Sequence, residues 1–411
     1  MRIMVVHNRY RSSSPSGEDR VVDQERAALE EAGHEVQGFE RRSDDIASFP
    51  PLRKALVPAA VVWSSSPARD LEAVLATYRP DVVHIHNVFP LLSPSVLLAC
   101  QRSGIPSVVT VHNFNLVCAA GNLFREGAIC RDCVGRLVPT PGVAHGCYRD
   151  SSWSTVPRAL SIVAHRKRWQ TAPSAYIFLS EAQRLELEPA GLPVCRSFVK
   201  PNLVPPVRRR QTNEGLVVYL GRLAEEKGLR VLMDGWSSYT DAIPDGKLRL
   251  VIAGTGPLET PIRRWASSRP AVDVVGLLER STCADLVARA AAVVVPSEWP
   301  EPFGLVVAEA MAAGVPPIAT SHGAFRELIT HGKDGILYPP SDPEALGRVL
   351  QRLDQNPGWT VELGHAAYDT YLRRFAPPGN IGELERIYRY AVSHPRQHGR
   401  EQGERVSESP A

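Results

Sequence analysis

The stretch EPFGLVVAE at 301–309 carries two carboxylates separated by seven residues, with two prolines in or beside its first half. Pro302 disfavours helix at the residue before it, so the pattern predicts an extended turn at Glu301. A helix can begin only near residue 303 or 304, and it ends at Gly314. Glu309 is therefore predicted about a turn and a half inside this helix, while Glu301 stands just before its open end.

The predicted helix start can bind an anion, because its first amides lack partners and carry the positive end of the helix dipole. Carboxylates beside a bound phosphate repel it unless they face a neutral group that offers hydroxyls. The spacing therefore favours a diphosphate on the amides, with one glutamate on the hydroxyls of a sugar and the other on those of a ribose. A core helix with Glu309 on a solvated face is the alternative interpretation.

Short β-branched runs, each followed by a helical pattern, must position this stretch. Four of them precede residue 199, at 2–8, 81–87, 107–113 and 175–180, and the series begins afresh at 216. This alternation predicts an α/β protein with two doubly wound parallel sheets. Loops after the carboxyl ends of the strands would then carry the ligand groups into a cleft between two domains.

Composition shifts along the chain predict the domain boundaries. We expect an N-terminal domain at 1–198, a linker rich in proline and charge at 199–214, and a C-terminal domain at 215–376. A helix at 377–394 follows, and the polar residues 395–411 are predicted to be disordered.

Bulk properties exclude several classes of protein. The net charge of +3 gives no field that would favour nucleic acid as a partner. The first apolar run is too short for a signal peptide, and no stretch reaches membrane-spanning length. These features predict a cytoplasmic protein.

Three more segments belong to the same pattern as the two glutamates: GRLAEEKG at 221–228, AGTGP at 253–257 and VKPN at 199–202. Together the four resemble, in order and over nearly the whole chain, the motifs of family 4 glycosyltransferases. These are retaining enzymes of the GT-B fold, in which two Rossmann-like domains face each other across a cleft. In that family VKPN is the hinge, and the last helix crosses back to the N-terminal domain.

The resemblance implies a retaining glycosyltransferase that moves a sugar from a nucleoside-diphosphate sugar to a hydroxyl acceptor. It further implies a role in cell-envelope polysaccharide or glycolipid synthesis, an acceptor that can be lipid-linked, and no cofactor for catalysis. A sugar-nucleotide epimerase of the same fold and a non-catalytic nucleotide-sugar-binding protein remain as alternatives. An epimerase would form product without an acceptor, and a binding protein would show no turnover.

The resemblance also assigns roles to residues of the C-terminal half. Arg222 and Lys227 bind the donor diphosphate, Glu301 binds the hydroxyls of the transferred sugar, and Glu309 binds the ribose. Additional donor contacts come from the glycine turn and the start of the helix: Gly254, Gly256, Phe303, Gly304 and Leu305. Pro302 cannot join them, because it has no amide hydrogen.

Histidines end two neighbouring strands of the N-terminal half. By the resemblance His112 lies beside the transferred sugar and completes the catalytic set with Glu301, Arg222 and Lys227. His86 is the candidate on the acceptor side, whereas we expect His84 in the core.

The loop after the first strand resembles the family's glycine loop, which faces donor and acceptor. Gly17 and Glu18 are its candidate residues, although the glycine pair common there is Ser16-Gly17 in this chain. No carboxylate nucleophile stands out in the N-terminal half, unlike the close carboxyl pair of a retaining glycosidase. Electrostatic stabilisation of the leaving diphosphate would then supply most of the rate.

A cysteine-rich insert at 118–147 lies between His112 and the next strand. Its C-x11-C-x2-C-x13-C spacing is compatible with a structural zinc site, or with an iron–sulfur cluster, formed by Cys118, Cys130, Cys133 and Cys147. His145 is a spare ligand, and buried thiols or labile disulfides are the alternatives. A subset of family 4 sequences carries a similar insert. The single cysteines are predicted core residues: Cys100, Cys195 and Cys283.

A basic amphipathic pattern occupies residues 157–169. Leu160, Val163 and Ala164 recur at helical spacing and are followed by two arginines, a lysine and a tryptophan. This pattern predicts a helix that either rests on an anionic membrane surface or ends in a solvated basic turn.

Overall fold

The computed structural model describes residues 1–12 and 16–396. The predicted tail at 395–411 lies outside the described residues except for its first two positions. The fold class is confirmed, because the chain forms two α/β units, each built on one six-stranded parallel sheet.

The N-terminal unit contains eight strands and nine helices among its described residues. They are β1 (Arg2–Arg9), α1 (Gly17–Glu31), β2 (Glu35–Arg42), α2 (Asp45–Ser48), α3 (Pro51–Ala55), α4 (Val57–Val62), α5 (Ser65–Tyr78), β3 (Val82–Ile85), α6 (Ser95–Arg102), β4 (Ser107–Val111), β5 (Phe124–Arg125), β6 (Ala128–Ile129), α7 (Thr140–Ala144), α8 (Ser152–Thr171), β7 (Ala175–Phe178), α9 (Glu181–Leu187) and β8 (Ser197–Val199). The short strands β5 and β6 pair with each other, antiparallel, within the cysteine-rich insert.

The N-terminal sheet has the strand order β2-β1-β3-β4-β7-β8. Strands β3, β4 and β7 are buried along their whole length, because helices cover both faces of a parallel sheet. The order reverses direction between β1 and β3. Such a switch point leaves a crevice at the carboxyl ends of the two strands, where ligands of open α/β sheets bind.

The C-terminal unit repeats this plan from residue 216 onward. Its elements are β9 (Leu216–Leu220), α10 (Leu229–Ala242), β10 (Arg249–Ala253), α11 (Glu259–Ala266), β11 (Val272–Gly276), α12 (Arg280–Val287), β12 (Ala290–Val295), α13 (Leu305–Ala312), β13 (Pro317–Thr320), α14 (Phe325–Leu328), β14 (Ile336–Tyr338), α15 (Pro343–Gln355) and α16 (Pro357–Arg374). The strand order is β11-β10-β9-β12-β13-β14, so the switch point lies between β9 and β12.

The last described helix, α17 (Pro377–Ser393), leaves the C-terminal unit and packs against the N-terminal sheet. Its apolar residues Leu384 and Tyr388 are fully buried in one cluster with Ile3 and Val5 of β1. The chain therefore crosses between the units twice, once on each side of the C-terminal domain.

The carboxyl ends of the two sheets face each other and make direct contacts. Ser180, which caps α9, donates a hydrogen bond of 2.7 Å to the Pro302 carbonyl oxygen. The Glu327 carboxylate of α14 accepts from the amides of Glu181 (2.8 Å) and Ala182 (2.6 Å) at the start of α9. No helix within the described ranges is long and apolar enough to cross a membrane.

Candidate active site at the domain interface

Helix α13 begins where the sequence predicted, at the turn that follows β12. Gly304 precedes it with φ 94°, a conformation that favours glycine, and a Cβ there would lie 2.4 Å from the ring of Phe325. No side chain caps α13, so its first amides are free to bind an anion. The Ser180 bond to Pro302 fixes this helix start against the N-terminal unit.

Glu301 and Lys227 lie on the loops that follow the two strands flanking the C-terminal switch point. Glu301 is buried, and its Oε1 accepts from Lys227 Nζ at 2.5 Å and from Ser297 Oγ at 2.9 Å. Lys227 also lies 5.0 Å from the ring centroid of Trp299. A cation and a carboxylate are therefore held side by side at the start of α13, next to its free amides.

Arg222 belongs to the same loop after β9 but points elsewhere. Its guanidinium is 3.6 Å from Glu226, and its side chain is 60% exposed. The glycine turn supports this loop: a Cβ on Gly254 would lie 1.8 Å from the Gly221 carbonyl oxygen, and one on Gly256 would lie 2.4 Å from that of Leu223. Only glycine permits so close an approach of the two loops.

Glu309 makes an ion pair across the interface. Arg20 of α1 donates from Nη2 to Glu309 Oε1 at 2.6 Å. Desolvation raises the pKa of Glu309, and the charge of Arg20 opposes that shift. Arg20 was missed at the sequence level, although it lies only three residues after Gly17, because nothing in the sequence indicated its partner 289 positions later.

The N-terminal histidines form a chain of contacts that leads into the interior. His112 Nε2 lies 2.9 Å from His86 Nδ1, and the two rings stack. His86 Nε2 in turn lies 3.6 Å from Oε1 of the buried Glu25. His84 is fully buried, with its Nδ1 3.1 Å from the same oxygen.

Two residues distant in sequence, Lys200 and Tyr388, close this network around Glu25. Lys200 Nζ of the VKPN segment lies 3.6 Å from Glu25 Oε2, and Tyr388 Oη of α17 lies 2.8 Å from His84 Nδ1. Burial alone would raise the pKa of Glu25, but the charges of His84 and Lys200 and a hydrogen bond from His84 lower it to about 2. The carboxylate is therefore ionised and acts only as an acceptor.

This arrangement sets the proton positions on the two histidines. The negative charge of Glu25 favours a proton on the near nitrogen of His86, which is Nε2, and leaves His86 Nδ1 as an acceptor. His112 Nε2 must then donate to it. Desolvation lowers the pKa of His86 well below its usual value and, with repulsion from His7, that of His112 to about 3, so both rings are neutral at pH 7. His112 Nδ1 has no partner among the described residues and can accept from a hydroxyl.

The glycine loop approaches helix α13 closely. A Cβ on Gly17 would lie 3.0 Å from Cδ1 of Leu305. Ser16 caps α1 through the Glu18 amide at 3.2 Å. Glu18 is partly buried, and its Oε2 accepts from Tyr10 Oη at 3.0 Å. Desolvation raises the pKa of Glu18 to about 7.

The four cysteines of the insert line one small cavity together with His145. The Gly142 amide donates to Cys133 Sγ at 3.2 Å. Burial, together with repulsion from the other thiols, raises the pKa of Cys133 to about 11. Across the residues that the structure describes, Glu25, His84 and His86 are the one group with ligand atoms already at metal-binding spacing, and Lys200 beside them disfavours a further cation.

Both halves of the chain match families of known proteins. The family described as "Glycosyltransferase Family 4" matches residues 15–208, and the one described as "Glycosyl transferases group 1" matches residues 204–370. A D-inositol 3-phosphate glycosyltransferase of Pseudarthrobacter chlorophenolicus is 27% identical over 328 residues, which are 73% of this chain and 74% of the relative. Three further curated relatives are matched over less than half of their own length.

Solved structures share the fold over nearly the whole chain. The sucrose-phosphate synthase of Thermosynechococcus elongatus superposes with a TM-score of 0.68 at 19% identity, covering 96% of this chain and 99% of the other. Anabaena HepE, solved in complex with UDP-glucose, gives 0.63 at 17% identity, covering 94% and 98%. The chain therefore has the fold of these solved glycosyltransferases, and its two halves match the Family 4 model and the group 1 model in turn.

Proposed function

We propose that this protein is a retaining glycosyltransferase that moves a sugar from a nucleoside-diphosphate donor to a hydroxyl acceptor. The observation that carries the proposal is the pairing of Lys227 with Glu301 beside the uncapped start of α13. The same interface brings in Glu309 and, from the opposite domain, the loop of Gly17. The UDP-glucose complex of HepE supports a nucleotide sugar as the donor class.

The donor diphosphate binds between Lys227 and the first amides of α13. Lys227 exchanges its contact with Glu301 for a phosphate oxygen, which frees the carboxylate to accept from the sugar hydroxyls. Arg222, whose side chain is largely exposed, turns from Glu226 to the same diphosphate. Glu309 leaves Arg20 and accepts from the ribose hydroxyls.

The retaining step needs no protein nucleophile. The bond from the anomeric carbon to the phosphate oxygen breaks, and the acceptor oxygen bonds to that carbon on the same face. The acceptor proton passes to the departing phosphate oxygen, so the charges balance. Glu25 is buried in an ion pair and Glu18 is bonded to Tyr10, so neither is placed as an attacking carboxylate. Stabilisation of the leaving diphosphate is the main catalytic term.

A panel of nucleotide sugars, incubated with the purified protein without acceptor, tests this function. We expect slow hydrolysis of one cognate donor to sugar and nucleoside diphosphate, and its loss in Glu301→Gln. An epimerised sugar nucleotide would instead favour the epimerase. Donor binding without any turnover, with Glu301→Ala changing affinity alone, would favour a binding protein.

The acceptor pathway that we propose is cell-envelope polysaccharide or glycolipid synthesis, with the protein at an anionic membrane surface. Helix α8, which is longer at both ends than predicted, exposes Trp153 (88%), Leu160 (52%) and Val163 (39%). The segment at 52–56, which precedes the helix α4 that packs against α8, exposes two leucines together with an arginine and a lysine. Apolar side chains among basic ones are typical of a surface that lies on anionic lipid.

Co-sedimentation with vesicles of phosphatidylcholine and phosphatidylglycerol tests this surface. We expect the wild type to pellet at low salt and Trp153→Ser with Leu160→Ser to remain in the supernatant. A wild type that stays in the supernatant at low salt would contradict the proposal.

We also propose a structural zinc ion on Cys118, Cys130, Cys133 and Cys147. Four thiols that line one cavity fit a dication, because a metal stabilises the thiolates that would otherwise repel each other. Metal analysis of protein purified without chelator should give one equivalent of zinc, and less in Cys133→Ser than in the control Cys283→Ser. Far less than one equivalent in the wild type would contradict the site, and iron with sulfide would indicate a cluster.

A further inference from the structure

Arg158 is a buried cation beneath the loops that follow β3 and β4. The residue is only 8% exposed although it lies on α8, near the surface of the domain. Its Nη2 donates to Asn115 Oδ1, and its Nε lies 3.4 Å from the Ala119 carbonyl oxygen. The guanidinium carbon sits 4.2 Å from the centroid of the Phe89 ring.

No carboxylate compensates this charge among the described residues. The groups around Arg158 are an amide oxygen, a backbone carbonyl and the aromatic rings of Phe89, Tyr148 and Tyr10. Its Nη1 makes no hydrogen bond to a described residue. Burying a cation without a partner costs free energy, and the Phe89 ring offsets only part of that cost.

Arg196 shows how a purely structural buried arginine differs in this chain. It is 4% exposed and also lacks a carboxylate. Its two terminal nitrogens donate to the carbonyl oxygens of Pro173 and Gln170, at the carboxyl end of α8, where the helix dipole is negative. Arg158 lies in the first half of the same helix and has one amide oxygen and one distant carbonyl, so its charge remains available.

The position of Arg158 connects it with the acceptor side of the cleft. Its neighbour Tyr10 donates to Glu18, which follows the Gly17 that approaches α13. Asn115 follows Phe114, whose ring contacts Trp299 of the opposite domain edge-on. Phe89, which covers the guanidinium, is itself partly exposed, so a single ring shields this face of the cation from solvent.

We propose that Arg158 binds an anionic group of the acceptor, either a phosphate or a carboxylate, and so selects anionic acceptors. This inference rests on the proposed glycosyl transfer and names the class of its second substrate. Arginine suits this task, because its planar fork matches both anions with two parallel hydrogen bonds. The buried surroundings strengthen the selection, since a neutral acceptor would leave the charge without a partner.

Thermal unfolding with added anions tests the proposal. The probes are inorganic phosphate and glucuronate, each titrated in the presence of saturating UDP so that the donor site is occupied. We expect at least one of them to raise the unfolding temperature of the wild type, with phosphate indicating a phosphorylated acceptor and glucuronate an acidic sugar. Arg158→Met should need at least tenfold more anion for the same shift.

Arg166→Met is the matched control, because it removes the same charge from the same helix. It should respond like the wild type. Arg158→Met should also unfold at no lower temperature than the wild type without anion, since it removes a buried charge. An equal anion response in wild type and Arg158→Met, or no response to either anion, would overturn the proposal. If Arg158→Met does not fold, Arg158→Lys replaces it and should still bind at least tenfold more weakly.

Nucleotide binding at the donor site is measured separately. UDP or another nucleoside diphosphate alone should stabilise the wild type, and the absence of a shift with all of them would contradict the proposed function. The anion response that depends on Arg158 is also measured in Lys227→Met, which lacks a cation of the donor site, and it should persist there.

Discussion

The two domains use the same fold but build their sides of the cleft in different ways. In the C-terminal domain Lys227 and Glu301 lie on loops after β9 and β12, and a few residues around each of them shape the site. In the N-terminal domain His112 depends on a buried network that includes Glu25, Lys200 and Tyr388, which lie far apart in the chain. Each part of the C-terminal side is formed by a short stretch of sequence. The N-terminal side is formed by residues that only the folded chain brings together.

We therefore expect mutations on the C-terminal side to lower activity more than stability. Mutations in the N-terminal network should lower both. A partly exposed loop residue such as Lys227 can be changed at a smaller cost to folding. Network residues cannot, because each of them satisfies a buried partner. The predictions below test this contrast.

Glu25→Gln should have the largest effect, on stability. It leaves Lys200 buried without its counter-charge, which costs about 3–5 kcal/mol of the free energy of unfolding at pH 7. The pKa of Glu25 is about 2 in the fold and 4.5 as the ordinary value, so its charge stabilises the fold above pH 4.5 and that contribution is lost as the pH falls toward 2. Denaturant unfolding at several pH values should show the gap to the wild type closing across this window.

The exposed pair on the same helix supplies the control for that measurement. Glu30→Gln breaks the bond to Arg26 and should change stability by less than about 0.5 kcal/mol. If the Glu25→Gln protein were as stable as Glu30→Gln at pH 7, the N-terminal network would not be needed for stability, and the proposed contrast with the C-terminal loops would be wrong.

Lys227→Met should have the next largest effect, and mainly on activity. Loss of a cation at the leaving diphosphate should lower kcat/KM by about 10²–10³-fold. Because Lys227 is half-buried and the buried Glu301 keeps a bond from Ser297, the free energy of unfolding should fall by about 1–3 kcal/mol, less than in Glu25→Gln. The exposed Lys247→Met is the control for donor hydrolysis, and a Lys227→Met protein that retains full activity would exclude this lysine from the site.

Glu309→Ala should show an intermediate effect, on nucleotide selectivity. If Glu309 accepts from the ribose, the wild type should bind UDP about tenfold more tightly than 2′-deoxy-UDP, the worth of one hydrogen bond to a charged group. The ratio should fall to about one in Glu309→Ala and persist in Arg20→Ala. Calorimetric titration measures both ratios, and an unchanged ratio in Glu309→Ala would assign the ribose to another residue.

Gly17→Ala should have the smallest effect. The new Cβ meets only the flexible end of Leu305 at 3.0 Å, which can move aside. The transfer rate should stay within about twofold of the wild type. A loss of more than about tenfold would mean that this loop lies against a substrate and not only against α13.

The sequence was sufficient for most of the fold and for the position of the helix start beside Glu301. Strands such as β4 and β12 are runs of β-branched or small apolar residues, and the start of α13 is fixed by Pro302 and Gly304, so short-range rules located them. Helix α8 was predicted at 157–169 and extends over 152–171, because Ser151 caps it from before the amphipathic stretch.

The acceptor side could not be predicted in the same way. In the sequence alone, Glu25 resembles the other charged residues of an amphipathic helix. Lys200 and Arg158 likewise resemble cations on the surface. Their burial results from packing between segments that are 43 to 175 residues apart, and no local pattern indicates such packing. His84 was expected in the core and is buried there, but as part of the polar network and not as an apolar substitute.

Helix α17 has a consequence for how the protein is made. The apolar face of the N-terminal sheet that receives Leu384 and Tyr388 stays uncovered while the C-terminal domain is being translated. The residues that cover this face of the C-terminal sheet lie within the C-terminal domain, so the sheet is covered once that domain has been translated. The N-terminal domain therefore leaves the ribosome first but is completed last. A chain that terminates before residue 377 would expose this apolar surface and would be prone to aggregation.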